Sequence, residues 1–328
     1  MITKATKSPF TGGRAEEVYE LTNMEFRGEE YLVHTRYYQC CDTGETFTDS
    51  EQDESTLNDL YAQYRIKHGI PFPDEIKEIR CRYNLNYTQI GKMLGFGTNQ
   101  WARYESGQIP SESNGRLIAA MRSKSVALSL LNNIRDIFET QEYEKIFKLI
   151  MSGRDDDPAA DSNSIFYEGT ARSIENGFGE FNHRKIEEMV IFLSEGGIFP
   201  IKLNKKMFYS DFLHFKRHGI SISGLRYQAI QFGPVPVHYC TIYDHIPGLY
   251  RKTEFISNCE TTTLIATQKP DLSVFNEKEL HTLREINDRL SPLSTKEIIS
   301  LSHKEAGWIN HYPDKSIIPF SDAYLLSL

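Results

Sequence analysis

Nothing in this 328-residue chain approaches the roughly eighteen uninterrupted apolar residues of a membrane-spanning helix. The N-terminus has no apolar core of a signal peptide either, so a cytoplasmic protein with no membrane partner is expected. Cysteine is scarce. Cys40, Cys41, Cys81, Cys240 and Cys259 are odd in number and scattered, which argues against a disulfide framework and for reduced thiols. No phosphate-binding loop is present, because Gly95-Phe96-Gly97 lacks the trailing spacing and the preceding strand. Catalytic constellations are missing too. Asp211, His214 and His218 lie at helical spacing without a third ligand or a nucleophile, and Cys240 beside His238 and Tyr239 has nothing to activate it. We therefore expect no enzyme, no cofactor and no metal.

An overall excess of basic charge is also lacking: the formal net charge is -8. Its distribution is uneven. Residues 73–125 carry eight Lys/Arg against five Asp/Glu, whereas residues 1–72 carry seven against thirteen and residues 126–180 five against eleven. A local basic segment in an acidic chain suits specific, salt-sensitive contact with nucleic acid rather than general coating of it.

What occupies that basic segment is a series of short helices. Ile76, Ile79 and Tyr83 recur at helical spacing behind Pro73, Asp74 and Glu75, which suit a first turn. A second helix is predicted from a Thr88 cap, with Ile90 and Leu94 on one face and Gly95 as its stop. A third is predicted from Thr98 to Ser106, with Gly107 and Pro110 closing it. Trp101 and Tyr104 would face the core, leaving Thr98, Asn99, Gln100 and Arg103 outward. Arginine pairs bidentately with guanine, and asparagine or glutamine with adenine. The bland alternative is that Asn99 caps a helix and Arg103 pairs with Glu105. The register of Thr88-Gln89, Gly95 and Tyr104-Glu105-Ser106-Gly107 resembles the Xre-type helix-turn-helix. That resemblance implies operator DNA as a partner, contacted by Thr98, Asn99, Gln100, Arg103 and Gln89, and a homodimer on palindromic half-sites.

Upstream, Glu17 to Leu21 and Tyr31 to Tyr38 read as antiparallel strands joined through Phe26-Arg27-Gly28-Glu29. Lys7-Ser8-Pro9-Phe10-Thr11-Gly12 and Tyr38-Gln39-Cys40-Cys41-Asp42-Thr43-Gly44-Glu45 have the layout of two metal knuckles. Followed by a helix over 50–68 with Leu57, Leu60, Tyr61 and Tyr64 on one face, and then by the reader, this order resembles the MqsA family of antitoxins. That family holds zinc with four cysteines. Here Ser8, Thr11 and Thr43 replace three of them, so we expect none.

Downstream, Val126, Leu130, Leu131, Ile134, Ile137 and Phe138 form one helical face, continued past a break near Thr140 by Ile146, Phe147, Ile150 and Met151. This segment either packs back on the reader or meets a second copy. Residues 154–163 are acidic and aperiodic, as a linker is. The remainder has its own core. Helices are predicted through Ile186–Leu193, Leu203–Phe215, Asn276–Leu290 and Ser294–Ala306, with a hairpin from Lys252–Asn258 to Thr261–Thr267. Between them, Gly233-Pro234-Val235-Pro236 pins the backbone as a rigid, exposed turn.

Lys202-Leu203-Asn204-Lys205-Lys206-Met207-Phe208-Tyr209-Ser210-Asp211-Phe212, then Gly224-Leu225-x-Tyr227, Gly233-Pro234-Val235-Pro236, Leu301-Ser302 and Trp308, resemble the Panacea, or SocA-like, domain of antitoxins from about Phe166 onward. The resemblance implies a cognate protein toxin as partner, held by Tyr209, Tyr227, Gly233, Pro234, Val235 and Pro236. The expected fold is mainly α, multidomain, α+β. It comprises a β-hairpin module (1–68), an Xre-type reader (69–125), a helical segment with an acidic linker (126–182), and a mostly helical Panacea domain with a short antiparallel hairpin (183–328). The expected function is that of a toxin–antitoxin system's antitoxin which represses its own operon. A ligand-responsive regulator or a proteolytic adaptor is the alternative.

Overall fold

The computed structural model describes residues 6–97, 99–153, 171–256 and 259–328, with side chains at 255, 256, 259 and 260 left aside. The chain is mainly helical with small antiparallel sheets, an α+β protein. It divides into two compact units, one drawn from Met1–Leu60 and Gly169–Leu328, the other from Tyr61–Glu168. Among the described residues no helix is long and apolar enough to cross a membrane.

The first unit is organised around one helix. Pro200 opens α9 (Pro200–His218), where its missing N–H costs nothing, and Gly219 closes it in the left-handed conformation at φ +69. Every residue from Leu203 to Phe215 is buried. A helix enclosed on all sides is normally apolar all round, yet this one carries Asn204, Lys205, Lys206, Ser210, Asp211 and His214. Its apolar contribution is a ring cluster, in which Phe212 stacks on Phe320 at 4.3 Å and on Phe208 at 4.2 Å between centroids.

Around α9 stand α8 (His183–Leu193), α11 (Glu277–Leu290), α12 (Thr295–Ser302) and a 3-10 turn over Phe320–Leu325. Also against it lies a three-stranded sheet in the order β6 (Gly233–Pro236), β5 (Tyr227–Ile230), β9 (Ile317–Ile318). Asn276 and Ser294 cap α11 and α12 through reciprocal boxes with Glu279 and Glu297. The helix expected over Ser294–Ala306 is two helices, since α12 stops at Ser302 and α13 (Ala306–His311) follows. A short α10 (Tyr239–Asp244) precedes the predicted hairpin, which is β7 (Leu249–Ile256) paired with β8 (Cys259–Ala266).

The N-terminal strands belong to this same unit, so the expected division at residue 68 does not describe the structure. β2 (Arg14–Phe26) and β3 (Glu29–Cys40) form a hairpin longer than the alternation indicated. The turn residues Arg27 and Gly28 both take positive φ, and short strands β1 (Thr6–Lys7) and β4 (Thr46–Phe47) flank the hairpin base. The helix α1 (Ser50–His68) has the expected ends. Its buried face is wider than the expected one: Leu60 and Tyr64 are buried and Tyr61 half-buried, but Leu57 is exposed, while Gln52, Ser55 and Asp59 are buried as well. Two of these polar groups, Gln52 and Asp59, hydrogen-bond. Gln52 donates to Glu17 at 3.2 Å, and Asp59 accepts the His34 backbone N–H at 2.9 Å.

Arg36 of β3 ties the hairpin to α9. Arg36, buried, donates to the carbonyls of Lys216 and Arg217 at 3.1 Å and to the Glu17 carboxylate at 2.8 Å. A guanidinium there supplies donors and positive charge to the helix C-terminus. Asn58 Nδ2 adds a bond to the His218 carbonyl at 2.9 Å. Burial alone would raise the Glu17 carboxyl, but the Arg36 charge and hydrogen bonds from Arg36, Tyr19 and Gln52 hold it below its ordinary range.

In the second unit, α2 (Pro73–Arg82), α3 (Tyr87–Met93), α4 (Gln100–Glu105), α5 (Glu112–Ala120), α6 (Lys124–Asn133) and α7 (Thr140–Ser152) share one core. Leu131, Ile146 and Ile150 of the last two helices are fully buried with Ile76, Tyr83 and Trp101. Among the described residues, α6 and α7 therefore pack back on the helices before them. The acidic stretch 154–163 lies outside the described residues.

Arg36→Ala should lower the stability of the first unit by about 3 kcal/mol or more, because it strands Glu17 and two helix carbonyls in a buried place. Glu17 is held below its ordinary pKa, so its contribution is complete above the ordinary glutamate range and is lost as pH falls through the depressed value. Urea midpoints should fall more between pH 7 and pH 3 in wild type than in Glu17→Gln.

Candidate functional site

Two surfaces and one buried network carry the residues that the sequence singles out. In the second unit, α3 is capped by Asn86 rather than Thr88. The Asn86 side chain accepts from Gln89 N at 2.8 Å, and Gln89 Oε1 accepts from Asn86 N at 3.0 Å. Gln89 is thereby buried in a capping box. It is a structural residue of α3, not an outward reader. Gly95, at φ +67, makes the bend that follows.

The next helix is held from behind. Trp101 and Tyr104 are buried, Phe96 stacks on Trp101, and Phe96 meets Tyr104 edge-on. Glu105 is the clamp: it accepts Trp101 Nε1 at 2.6 Å and pairs with Arg80 at 2.6 Å. With Glu105 so engaged, Arg103 does not pair with it. Among the described residues Arg103 and Asn99 are both exposed with no side-chain hydrogen bond or ion pair. Gln100 is half-buried and reaches Gln108 at 3.5 Å. Thr98 lies outside the described residues. The structure thus brings Asn99, Gln100 and Arg103 to one short helix and removes Gln89 from the set.

The residues expected to touch a toxin are placed differently. Tyr209 is fully buried, its hydroxyl donating to Glu305 at 3.0 Å. Tyr227 is fully buried and donates to Asp211 at 2.6 Å. Gly233, Pro234, Val235 and Pro236 are not an exposed turn but the buried strand β6. A side chain at Gly233 would stand 2.4 Å from Ser302 Oγ and 2.6 Å from Lys205 Cε, and its φ is +96. Lys205 donates to the Pro234 carbonyl at 2.8 Å, and burial pulls its ammonium pKa down to about 7. Asp211 accepts from the backbone of Ile222 and Ser223 at 2.9 Å and from the Ser223 hydroxyl. Burial raises its carboxyl against those bonds. His214 faces Thr282, at 3.1 Å, so Asp211 and His214 share no ligand site.

What this end of the unit exposes is Phe232, in the β5–β6 turn, with half of its surface accessible at 49%. Beside it Trp308 donates Nε1 to the Ile230 carbonyl at 2.8 Å. Trp308 is sandwiched between His303 at 3.9 Å and Tyr312 at 4.5 Å, and Ile309 next to it is exposed. Aromatic groups already fixed in place lose little freedom on meeting a partner. Trp308 was visible in the sequence as a motif residue, whereas Phe232 carried no periodic signal.

The four knuckle positions do converge. Thr11 Oγ1 stands 3.6 Å from Cys40 Sγ, and the hydroxyls of Ser8, Thr43 and Thr11 hold the Cys40 thiol down to about 6. One sulfur among three neutral hydroxyls does not fit the thiolate or imidazole set that zinc requires. Among the described residues no three His, Cys, Asp or Glu side chains gather as a metal site. A cleft of about 660 Å³ lies between the hairpin and α9, but its charges largely satisfy one another, as in Arg217–Glu285 and Lys278–Glu54. Small-molecule pockets are mostly apolar.

Residues 203–309, from the second turn of α9 into α13, match the family model described as Antitoxin SocA-like, Panacea domain. The C-terminal part of the chain is thus similar to the Panacea domain of SocA-like antitoxins. No curated protein and no solved structure matches the chain.

Gly233→Ala should destabilise the first unit by about 2 kcal/mol or more through the clash and the positive φ, read as a lower thermal midpoint. The triple variant Ser8→Cys, Thr11→Cys, Thr43→Cys should bind one zinc ion per chain where wild type binds none. Equal zinc content in the two would contradict the knuckle geometry.

Proposed function

We propose that this chain is an antitoxin with two separate binding surfaces. One, in the 203–309 region, covers a cognate protein toxin. The other, on α4, reads the operator of its own promoter and represses the operon. The observation that carries the antitoxin reading is the match of residues 203–309 to the SocA-like Panacea model. Burial of Tyr209 and Tyr227 moves the toxin contact from those rings to the exposed Phe232 turn and the Trp308–Tyr312 stack.

The DNA reading is supported by chemistry rather than by kinship. Asn99, at the N-cap of α4, and Arg103, on it, stand exposed, and Glu105 is held by Arg80 and Trp101 rather than by Arg103. A helix backed by rings and faced with asparagine and arginine has the parts of a helix-turn-helix reader. Two such readers on a palindrome call for a homodimer.

Arg103→Ala should weaken operator binding by about 1–3 kcal/mol and leave rescue from the toxin unchanged. Phe232→Ala with Tyr312→Ala should do the reverse. Binding to the operator is to be measured by mobility shift or anisotropy, rescue by growth on co-expression with the toxin gene. Loss of both activities from either substitution would defeat the division of labour.

A further inference from the structure

The β7–β8 ribbon has one covered edge and one open edge. Leu264 of β8 exchanges two backbone hydrogen bonds of 2.8 Å with Ile198, so the Leu264 peptide groups point away from β7. Its partner across the ribbon is Arg251. In an antiparallel pair the backbone groups of opposite residues turn inward together or outward together, alternating along the strand. Arg251 and Thr253 therefore direct their N–H and C=O groups to the free side of β7. Among the described residues neither meets a backbone partner. Tyr250, Arg251, Lys252, Thr253 and Glu254 are all exposed. A sheet of only two strands is marginal by itself, and an open edge is a template for another strand.

We propose that this edge pairs with the same edge of a second copy of the chain, antiparallel about a twofold axis at Thr253. The register follows from charge. An axis at Arg251 sets arginine opposite arginine, one at Lys252 sets lysine opposite lysine, and one at Glu254 sets glutamate opposite glutamate. Like charges directly opposite are destabilising. Among axes at the four central positions, Arg251 to Glu254, only the one at Thr253 avoids all three. It places Lys252 of each copy opposite Glu254 of the other, twice by symmetry. Within one chain these two side chains already share a face, paired at 2.8 Å.

A lysine on an edge strand ordinarily blunts association. Here the glutamate two residues on makes the edge self-complementary, and the two ribbons become one continuous four-stranded sheet. An isologous contact of this kind closes at two copies and does not propagate. The inference stands apart from the toxin and operator readings, since it needs neither partner.

The test is the mass of the full chain by light scattering at tens of micromolar. Wild type should weigh two chains. Thr253→Pro, which removes the donor on the axis, should weigh one. Lys252→Glu and Glu254→Lys should each weigh one as well, because each faces like charges. The combined Lys252→Glu, Glu254→Lys variant should return to two. These positions are exposed, and unchanged circular dichroism checks that each variant folds. A monomeric wild type overturns the proposal, as does a dimer that Thr253→Pro and the single charge reversals leave intact.

Discussion

The first unit depends on enclosing α9 completely while it carries polar and charged side chains. Each such group, once out of water, must meet a partner or cost free energy of the order of 1–3 kcal/mol, more when charged. The surrounding elements are placed accordingly. Pro234 offers a carbonyl to Lys205, Asn287 and Ser291 receive Lys206, Thr282 meets His214, and the Ser221–Tyr227 turn closes on Asp211. Glu305, at the N-cap of α13, receives the Tyr209 hydroxyl of α9 and also the Ser327 backbone N–H at 2.9 Å. Two motif residues of this region, Pro234 and Tyr227, are thus among those that satisfy α9.

The same requirement extends to the N-terminal strands. The last carbonyls of α9 would be left without donors inside the unit, and Arg36 and Asn58 supply them. The hairpin is accordingly a cap on the C-terminal core, not an independent module. The backbone closes both knuckle turns, with Ser8 N donating to Gly13 O and Cys40 N to Glu45 O, each 2.8 Å, and hydroxyls fill the positions around Cys40.

Much of this was legible in the sequence, for reasons that can be named. Helix ends were readable where proline, glycine or an asparagine box fixes them, as at Pro73, Gly95 and Asn276. The aromatic backing of α4 was readable because Trp101 and Tyr104 lie three apart. Three features were not. Periodicity reports apolar faces only, so it gave no sign that the polar side of α9 is buried or that α1 packs through Gln52, Ser55 and Asp59. Proline-rich segments read as turns, yet Gly233–Pro236 is a strand whose two prolines lose no needed donor beside Lys205. Burial of Gln89 follows from its reciprocal bonds with Asn86, a local competition that spacing alone does not reveal.

Among the described residues, the outward-facing chemistry that the toxin and operator readings use lies on the Asn99–Arg103 side of α4 and on the Phe232–Tyr312 aromatic group. The most direct test that these are separate is amide hydrogen exchange on the full chain, alone, with operator duplex, and with co-purified toxin. Operator should slow exchange around residues 99–106 and leave 230–233 and 303–312 unchanged, and toxin should do the opposite. Protection of the same segment by both ligands would contradict the account.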